Sequence, residues 1–319
     1  MFRKILKWTG FILLFLVVGV TVATALRQHM KYDAPYPAIK ASADTAIIAK
    51  GRHIVLGPGH CVDCHSPVRN VDSVLQLGQD PALSGGMPFQ LPFGTVFTRN
   101  ITSDATTGIG RYTDGEIARV LRHSVKANGE MVLPFMPFQN MSDEDLTAVI
   151  SYLRSTKPVK NAVPDHEWNV MGNFIKAFLL KPAGPSERIK EVVAADTTAK
   201  YGRHLVMAVA NCNECHTKRN EIGDYVGAPL AGGTVFEEEG KPTLISPNLT
   251  PDPETGRIAN WSQEAFIKRF RMGKLIKHSH MPWESYGRMN DTELKAIYSY
   301  LRSLKPVNNP ETVGKPAAK

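Results

Sequence analysis

The chain has 319 residues, of which 43% are hydrophobic and 21% charged, a composition typical of a folded globular protein that excludes disorder throughout. The length suits two domains plus attachments. The formal net charge of +8 is concentrated at the N-terminus, because residues 1–43 hold six basic residues and one acid, whereas residues 44–160 are balanced. No nucleic-acid partner is therefore predicted.

An uncharged, apolar stretch covers residues 8–26 and has basic residues on both sides. At about 1.5 Å per residue, a helix of this length approaches the ~30 Å hydrocarbon core of a bilayer. A single transmembrane helix is predicted within residues 1–30, with a cytoplasmic N-terminus because basic residues precede it. A cleaved signal peptide is the alternative, since Ala23-Thr24-Ala25 resembles a cleavage site. Both interpretations place the body on the periplasmic side of a bacterial inner membrane, after a tether at residues 31–43.

Two copies of one pentapeptide contain all four cysteines. They are Cys61-Val62-Asp63-Cys64-His65 and Cys212-Asn213-Glu214-Cys215-His216. The pattern C-x-x-C-H is the signature of covalent haem c attachment. Positions i, i+3 and i+4 share one face of a helix, so two thiols can bond the haem vinyl groups while the histidine ligates the iron. Two haem c groups are predicted, with thioether bonds at Cys61, Cys64, Cys212 and Cys215 and iron ligands at His65 and His216.

Other chemistry is open to the same cysteines. A Cys-x-x-Cys pair can ligate zinc or act as a redox dithiol, and four cysteines could form one all-thiolate zinc site. Here each pair carries its own histidine at the same offset within a larger repeat, which favours haem.

The second half of the chain repeats the first with a period of about 150 residues, the size of a duplicated domain. The repeated segments are Lys50-Gly51-Arg52-His53 with Tyr201-Gly202-Arg203-His204, Asn100-Ile101-Thr102 with Asn248-Leu249-Thr250, and Ser151-Tyr152-Leu153-Arg154-Ser155 with Ser299-Tyr300-Leu301-Arg302-Ser303. Domains are predicted at 44–160 and 196–309, with a linker at 161–195 and a tail at 310–319. Apolar residues at helical spacing in the linker favour a strap packed on the domains over a helix on a membrane surface.

Strand signals are weak throughout, so the predicted fold class is all-α. In each copy the haem pentapeptide is predicted to end a first helix, and a middle and a last helix follow. The predicted ranges are 114–125 and 262–272 for the middle helix and 143–155 and 291–303 for the last. Ser142 with Asp145, and Asn290 with Glu293, resemble capping boxes at the start of the last helix.

The iron face opposite each histidine needs a second ligand if the site is closed, and the soft thioether of methionine suits haem iron. Comparison of the copies reduces eleven methionines to two equivalent pairs. Met141 and Met289 directly precede the helix caps, where a hydrophobic staple explains them. Met136 and Met281 each precede a proline in a loop and are the predicted axial ligands. The second choices are Met131 and Met272.

Histidines outside the pentapeptides are not predicted to be ligands. His53 and His204 recur in both copies and are expected to be partly exposed helix residues. Tyr112 and Trp261 occupy equivalent places before the middle helix, where they are either core aromatics or donors to haem propionates. The remaining candidates near Met281 are His278 and His280, which are expected at the surface.

Residues 44–160 and 196–309 each resemble a class I cytochrome c domain. The motifs Gly94-Thr95-Val96-Phe97, Thr107-Gly108-Ile109-Gly110 and Met136-Pro137 look most like the cytochrome subunits of membrane-bound alcohol, gluconate and fructose dehydrogenases. The resemblance implies tandem class I domains with His/Met haems, in which the first helix crosses the last. The implied crossing points are Gly51 with Tyr152 and Gly202 with Tyr300. Those subunits carry three haem domains, whereas two are predicted here.

The leading prediction is a one-electron carrier that is not itself an enzyme. Its donor would be a dehydrogenase or a quinol-oxidising protein, and its acceptor another cytochrome or a terminal oxidase. The enzymatic alternative is a dihaem peroxidase or a thiosulfate dehydrogenase. A peroxidase needs an open iron and the thiosulfate enzymes use a cysteine ligand, whereas each copy has a candidate methionine and no cysteine is left over. A sensor or docking subunit with structural haems is a third possibility.

Overall fold

A computed structural model describes residues 1–220 and 223–312, so most of the predicted tail at 310–319 lies outside the described residues. Twelve α-helices are present in the described ranges. They are α1 Phe2–Arg27, α2 Thr45–Leu56, α3 Cys61–His65, α4 Val71–Gln76, α5 Asp114–His123, α6 Asp143–Ser155, α7 Val170–Phe178, α8 Ala199–His204, α9 Cys212–His216, α10 Gln263–Arg271, α11 Trp283–Gly287 and α12 Asp291–Ser303. A π-helical turn at Leu205–Val209 continues α8, and 3₁₀ turns lie at Ile109–Arg111 and Pro310–Thr312.

The helical fold class is confirmed as the main feature, with two small sheets added to it. Strands β1 Pro88–Leu91, β2 Gly94–Phe97 and β3 Glu167–Trp168 form one antiparallel sheet, and β4 Val235–Phe236 pairs with β5 Leu244–Ile245. Strands of two to four residues are too short to give an alternating pattern in the sequence. Because β3 belongs to the linker, it ties the linker to the first half of the molecule.

The two halves are built on the same close helix crossing. Helix α2 packs on α6, and α8 packs on α12. A Cβ atom on Gly51 would lie 1.8 Å from the Ala148 carbonyl oxygen, and one on Gly202 would lie 1.9 Å from the Ala296 carbonyl oxygen. Only glycine allows the two backbones to approach this closely. The crossing implied by the resemblance is therefore present in both halves.

The last helix of each half has the bounds predicted for it. Asn290 and Glu293 form both hydrogen bonds of a capping box. The box at Ser142 is only half formed: Ser142 Oγ accepts from the Asp145 amide, but the Asp145 carboxylate turns away toward the other half.

The prediction that each pentapeptide ends the first helix is wrong. The pentapeptides form separate one-turn helices. Residues 57–60 separate α2 from α3, and His60 has left-handed backbone angles with φ of 39°. Asn211 takes the same position before α9 with φ of 52°. At this turn the chain changes direction, so the cysteines do not continue along the axis of the first helix. The spacing of apolar residues does not predict such a change of direction.

Two reciprocal histidine–carboxylate pairs join the halves. His204 Nε2 donates to Asp145 Oδ2 at 2.6 Å, with both side chains buried. His53 Nε2 lies 2.9 Å from both carboxylate oxygens of Glu293. His53 and His204 are repeat equivalents, as are Asp145 and Glu293, so each half supplies one histidine to the last helix of the other. His53 is half-buried as predicted, but the prediction of exposure is wrong for His204, which is 7% exposed.

Helix α1 contacts α7 but has no buried residue of its own. None of its most apolar 18-residue window is buried, and the mean hydropathy of that window is 2.4. Its length and composition suit either a membrane anchor or a signal sequence.

Replacing Gly51 by alanine should lower the free energy of unfolding by about 1–3 kcal/mol, because the new methyl group has no space at the helix crossing. Urea unfolding of the intact protein measures the change. Gly115→Ala is the matched control, since its Cβ would meet its nearest neighbour at 3.6 Å. Equal stabilities of the two variants would contradict the crossing.

Asp145→Asn should flatten the acid dependence of stability. Burial alone would raise the pKa of Asp145, but the hydrogen bond from His204 and the charge of Lys50 hold that pKa at about 2. A carboxyl with a depressed folded-state pKa stabilises the fold above its unfolded value near 4 and loses this contribution as the pH falls toward 2, on the order of 2 kcal/mol. The free energy of unfolding, measured from pH 7 down to pH 2, should fall less steeply in the variant. In Glu144→Gln, whose carboxylate also meets Lys50 but is more exposed, the wild-type slope should persist.

Candidate haem-attachment sites

Each pentapeptide helix brings its cysteines and histidine to the edge of the hydrophobic core. Cys61 and Cys212 pack against the core cluster, as do Met136 and Met281. No disulfide joins the four cysteines. The first cysteine of each pentapeptide and the predicted axial methionine of the same half therefore both border the apolar core, which could enclose a porphyrin.

One ring nitrogen of each pentapeptide histidine is already engaged. His65 Nδ1 lies 2.8 Å from the Arg99 carbonyl oxygen, and His216 Nδ1 lies 2.9 Å from the Pro247 carbonyl oxygen. A carbonyl can only accept, so Nδ1 carries the proton and Nε2 keeps its lone pair. Burial lowers the pKa of both histidines and so favours the neutral ring, although the carbonyl bond opposes this shift. A neutral imidazole held through Nδ1 is the form that ligates iron.

The same set of hydrogen bonds in both halves fixes the loop that supplies this carbonyl. Asn100 Nδ2 donates to Thr107 Oγ1 at 3.1 Å and to the Val159 carbonyl at 2.7 Å. Asn248 makes the equivalent bonds to Thr255 at 2.9 Å and to Val307 at 2.8 Å. The repeated Asn-x-Thr motif thus anchors the residue that immediately precedes it, which is the histidine's partner.

A glycine pair in each half contacts the pentapeptide histidine, a role that the sequence analysis did not predict. The Gly85 amide donates to the His65 carbonyl at 2.8 Å, and the Gly232 amide donates to the His216 carbonyl at 2.7 Å. Their φ angles are 68° and 72°, in the region that favours glycine. A side chain on Gly85 would also collide with the Arg99 carbonyl at 2.5 Å. The signal was present, since Gly-Gly recurs at equivalent places in the two copies.

The cysteine environment does not suit thiolate chemistry. Burial raises the pKa of Cys61 and of Cys212 to about 12 and that of Cys64 to about 11. Redox dithiols need a lowered thiol pKa. Within residues 1–220 and 223–312, no group of three or more His, Cys, Asp or Glu side chains is placed to hold a bare metal ion. These thiols suit the thioether bonds of haem c better than either alternative.

The candidate methionines differ in how far they are buried. Met141 and Met289 are 2% and 1% exposed and lie in the core, as expected of staple residues. Met136 and Met281 are half-buried in the loops before Pro137 and Pro282. Met272 is 51% exposed, which weakens it as a second choice. Ligation by Met136 and Met281 stays a prediction that this placement allows.

Tyr112 and Trp261 are partly buried against the core in both halves. Their backbone carbonyls accept hydrogen bonds, from Arg154 and from Tyr298 respectively. In the described part of the chain, neither the Tyr112 hydroxyl nor the Trp261 indole N–H is donated to another residue. Both groups are therefore available for the predicted propionate contacts.

The two attachment sites approach each other through α11. The segment between Met281 and Met289 is three residues longer than its counterpart in the first half, and the longer segment contains this helix. Ser285 Oγ donates to Asp63 Oδ1 of the first pentapeptide at 2.8 Å. The Tyr286 ring lies 5.6 Å from the His60 ring, and its hydroxyl donates to the Ala210 carbonyl just before the second pentapeptide. Tyr286 therefore touches both sites.

The histidines near Met281 take no part in this contact. His280 is exposed, pairs with Glu238 at 2.9 Å and stacks on Phe236. His278 is half-exposed. Surface positions predicted for these two histidines are thus found.

Comparison with known proteins finds similarity to cytochromes. Residues 197–301 match the family described as cytochrome C oxidase, cbb3-type, subunit III. The chain is 31% identical over 282 residues to the cytochrome c subunit of alcohol dehydrogenase (quinone) from Gluconacetobacter polyoxogenes, covering 83% of this chain and 57% of that protein. It is 28% identical over 304 residues to the gluconate 2-dehydrogenase cytochrome c subunit of Pantoea cypripedii, covering 85% and 62%.

A third relative is closer in length. The chain is 26% identical over 265 residues to a diheme cytochrome c-type protein of Cereibacter sphaeroides, covering 78% of this chain and 83% of that protein. By contrast, it spans only 57% and 62% of the two dehydrogenase subunits. The resemblance to cytochrome c subunits of dehydrogenases is confirmed, and a cytochrome c domain implies covalently bound haem c.

Proposed function

We propose that this chain is a membrane-anchored, periplasmic dihaem cytochrome c that transfers single electrons. The observation that carries the proposal is the duplicated site, in which a C-x-x-C-H helix holds a histidine with Nδ1 bonded to a carbonyl and Nε2 free. The first haem would be held by Cys61, Cys64, His65 and Met136. The second would be held by Cys212, Cys215, His216 and Met281. When bound, haem iron supplies reversible one-electron chemistry between its ferric and ferrous states.

The residues around each site would position the haem rather than react with a substrate. The carbonyls of Arg99 and Pro247 orient the histidines, and the buried core excludes water. A methionine thioether on the opposite face would close the iron to exogenous ligands and raise its potential. This arrangement supports electron transfer and disfavours the peroxidase and thiosulfate dehydrogenase alternatives.

The contact at α11 gives the electron a path within one chain. Tyr286 touches His60, next to Cys61, and bonds to Ala210, two residues before Cys212. We therefore propose that an electron entering at one half leaves from the other.

Partners and location rest on the relatives and on α1. Two relatives are named as cytochrome c subunits of dehydrogenases, so the proposed donor is a dehydrogenase. The proposed acceptor is another cytochrome or a terminal oxidase. With α1 retained as a single-pass anchor in the inner membrane, the basic residues before it would keep the N-terminus cytoplasmic and both halves periplasmic.

Met136→His should lower the potential of one haem and leave the other unchanged, because imidazole is a stronger donor to ferric iron than a thioether. A spectroscopic redox titration resolves the two potentials. The methionine-to-iron charge-transfer band of the oxidised protein should also lose about half of its intensity, as one of two equivalent ligands is replaced.

Met131→Leu is the matched control, since Met131 is also half-buried in the same half but lacks the Met-Pro context. It should leave both potentials and the band in place. If Met131→Leu halved the band and Met136→His left it intact, the ligand assignment would be wrong. Rapid binding of cyanide by the wild-type protein at neutral pH would favour the enzymatic alternative.

A further inference from the structure

The linker helix α7 has an apolar face that the other described residues, within 1–220 and 223–312, leave exposed. Val170, Met171, Phe174 and Leu179 are 87%, 56%, 40% and 56% exposed. The Phe174 and Phe178 rings are 5.0 Å apart, and Val170 and Met171 share their face of the helix at i+3 and i+4 spacing. Four large apolar residues exposed on one short segment mark an interaction site rather than scattered surface residues.

The opposite side of α7 is fixed to the first half. A Cβ atom on Gly172 would lie 2.2 Å from the Phe93 carbonyl oxygen, and Ala177 is buried. Trp168 stacks on Phe93 with 6.1 Å between ring centroids. The predicted strap is therefore present, and the fully buried residues of its helix are the small ones, Gly172 and Ala177. Val170, Met171 and Phe174 face outward.

The contact between α7 and the end of α1 determines how deep in a membrane this surface would lie. Helix α7 packs against α1. Arg27, the last residue of α1, donates from Nε to the Ala177 carbonyl at 3.1 Å, and its guanidinium lies 5.3 Å from the Phe178 ring centroid. The 26 residues of α1 span about 39 Å, more than the ~30 Å hydrocarbon core, so an inserted α1 places Arg27 in the headgroup layer. Residues that touch Arg27 then lie in the same layer.

The charges around α7 suit anionic headgroups. Residues 169–181 contain two lysines and no acid, and Arg27 and Lys31 lie at the end of α1 and in the tether. Lys176 Nζ lies 5.1 Å from the Trp168 ring centroid, which places a cation and a tryptophan together as is common at membrane interfaces. A basic segment with an outward apolar face is the pattern of a helix that lies in the membrane interface.

We propose that the apolar face of α7 rests in the headgroup layer of an anionic bilayer and holds the first half against the membrane. The inference rests on the proposed retention of α1 as an anchor. The tethered halves would then be restricted in orientation rather than free on a flexible tether, and the first half would be the one nearer the membrane.

The test uses the full-length protein in vesicles of phosphatidylethanolamine and phosphatidylglycerol. A photoreactive benzophenone amino acid replaces Phe174 in one variant and Leu77 in the control. Leu77 is 75% exposed in the same half but lies away from α7, just after α4. After illumination, mass spectrometry counts lipid adducts. The yield at 174 should exceed that at 77 by about tenfold, and it should fall when phosphatidylglycerol is omitted.

Three other outcomes overturn the proposal in distinguishable ways. Equal adduct yields at both positions in a protein that still carries α1 would show that α7 does not meet lipid. Illumination of native membranes that joined position 174 to a protein instead of lipid would assign the face to a partner. An intact mass lacking the N-terminal residues would show that α1 is a cleaved signal, so the anchor itself would be wrong.

Discussion

The close crossing of the first and last helices is the constraint on which both sites depend. At Gly51 and at Gly202 the neighbouring helix brings a backbone carbonyl to within the space that a methyl group would occupy. This contact fixes the positions of α2 and α8, from which the chain leads to the pentapeptide helices. It also fixes α6 and α12, whose N-termini follow the loops that carry Met136 and Met281. One rigid pair of helices therefore sets the positions of the cysteines and the methionine in each half.

A second set of contacts holds the two pentapeptide histidines in place. The Asn100 and Asn248 amides anchor loops whose carbonyls accept from His65 and His216. Hydrogen bonding at Nδ1 selects the tautomer and orients the ring before any iron is bound. Because the same arrangement occurs twice, it is a property of the repeat and not of one half. The differences between the halves, such as α11, then mark where the two copies take separate roles.

The sequence predicted most reliably those features that are encoded locally. Ser142 and Asn290 are helix caps, and the helices that follow them have the predicted bounds. The pentapeptides and the Met-Pro loops were visible because each occurs twice. Contacts between distant residues were not predictable in this way. His53 and Glu293 are 240 positions apart, and nothing near His204 in sequence indicates its buried partner Asp145. The left-handed residues before α3 and α9 were also missed, because backbone angles at His60 and Asn211 leave no apolar pattern.

The most direct test of the account is the spin state of the iron in the oxidised, full-length protein. Electron paramagnetic resonance at low temperature, integrated against the polypeptide concentration, counts ferric centres and separates low-spin from high-spin iron. Two His/Met sites predict two low-spin ferric centres per chain and no high-spin signal. A single centre per chain, or a high-spin signal from an iron open on one face, would contradict the proposal of two closed electron-transfer haems.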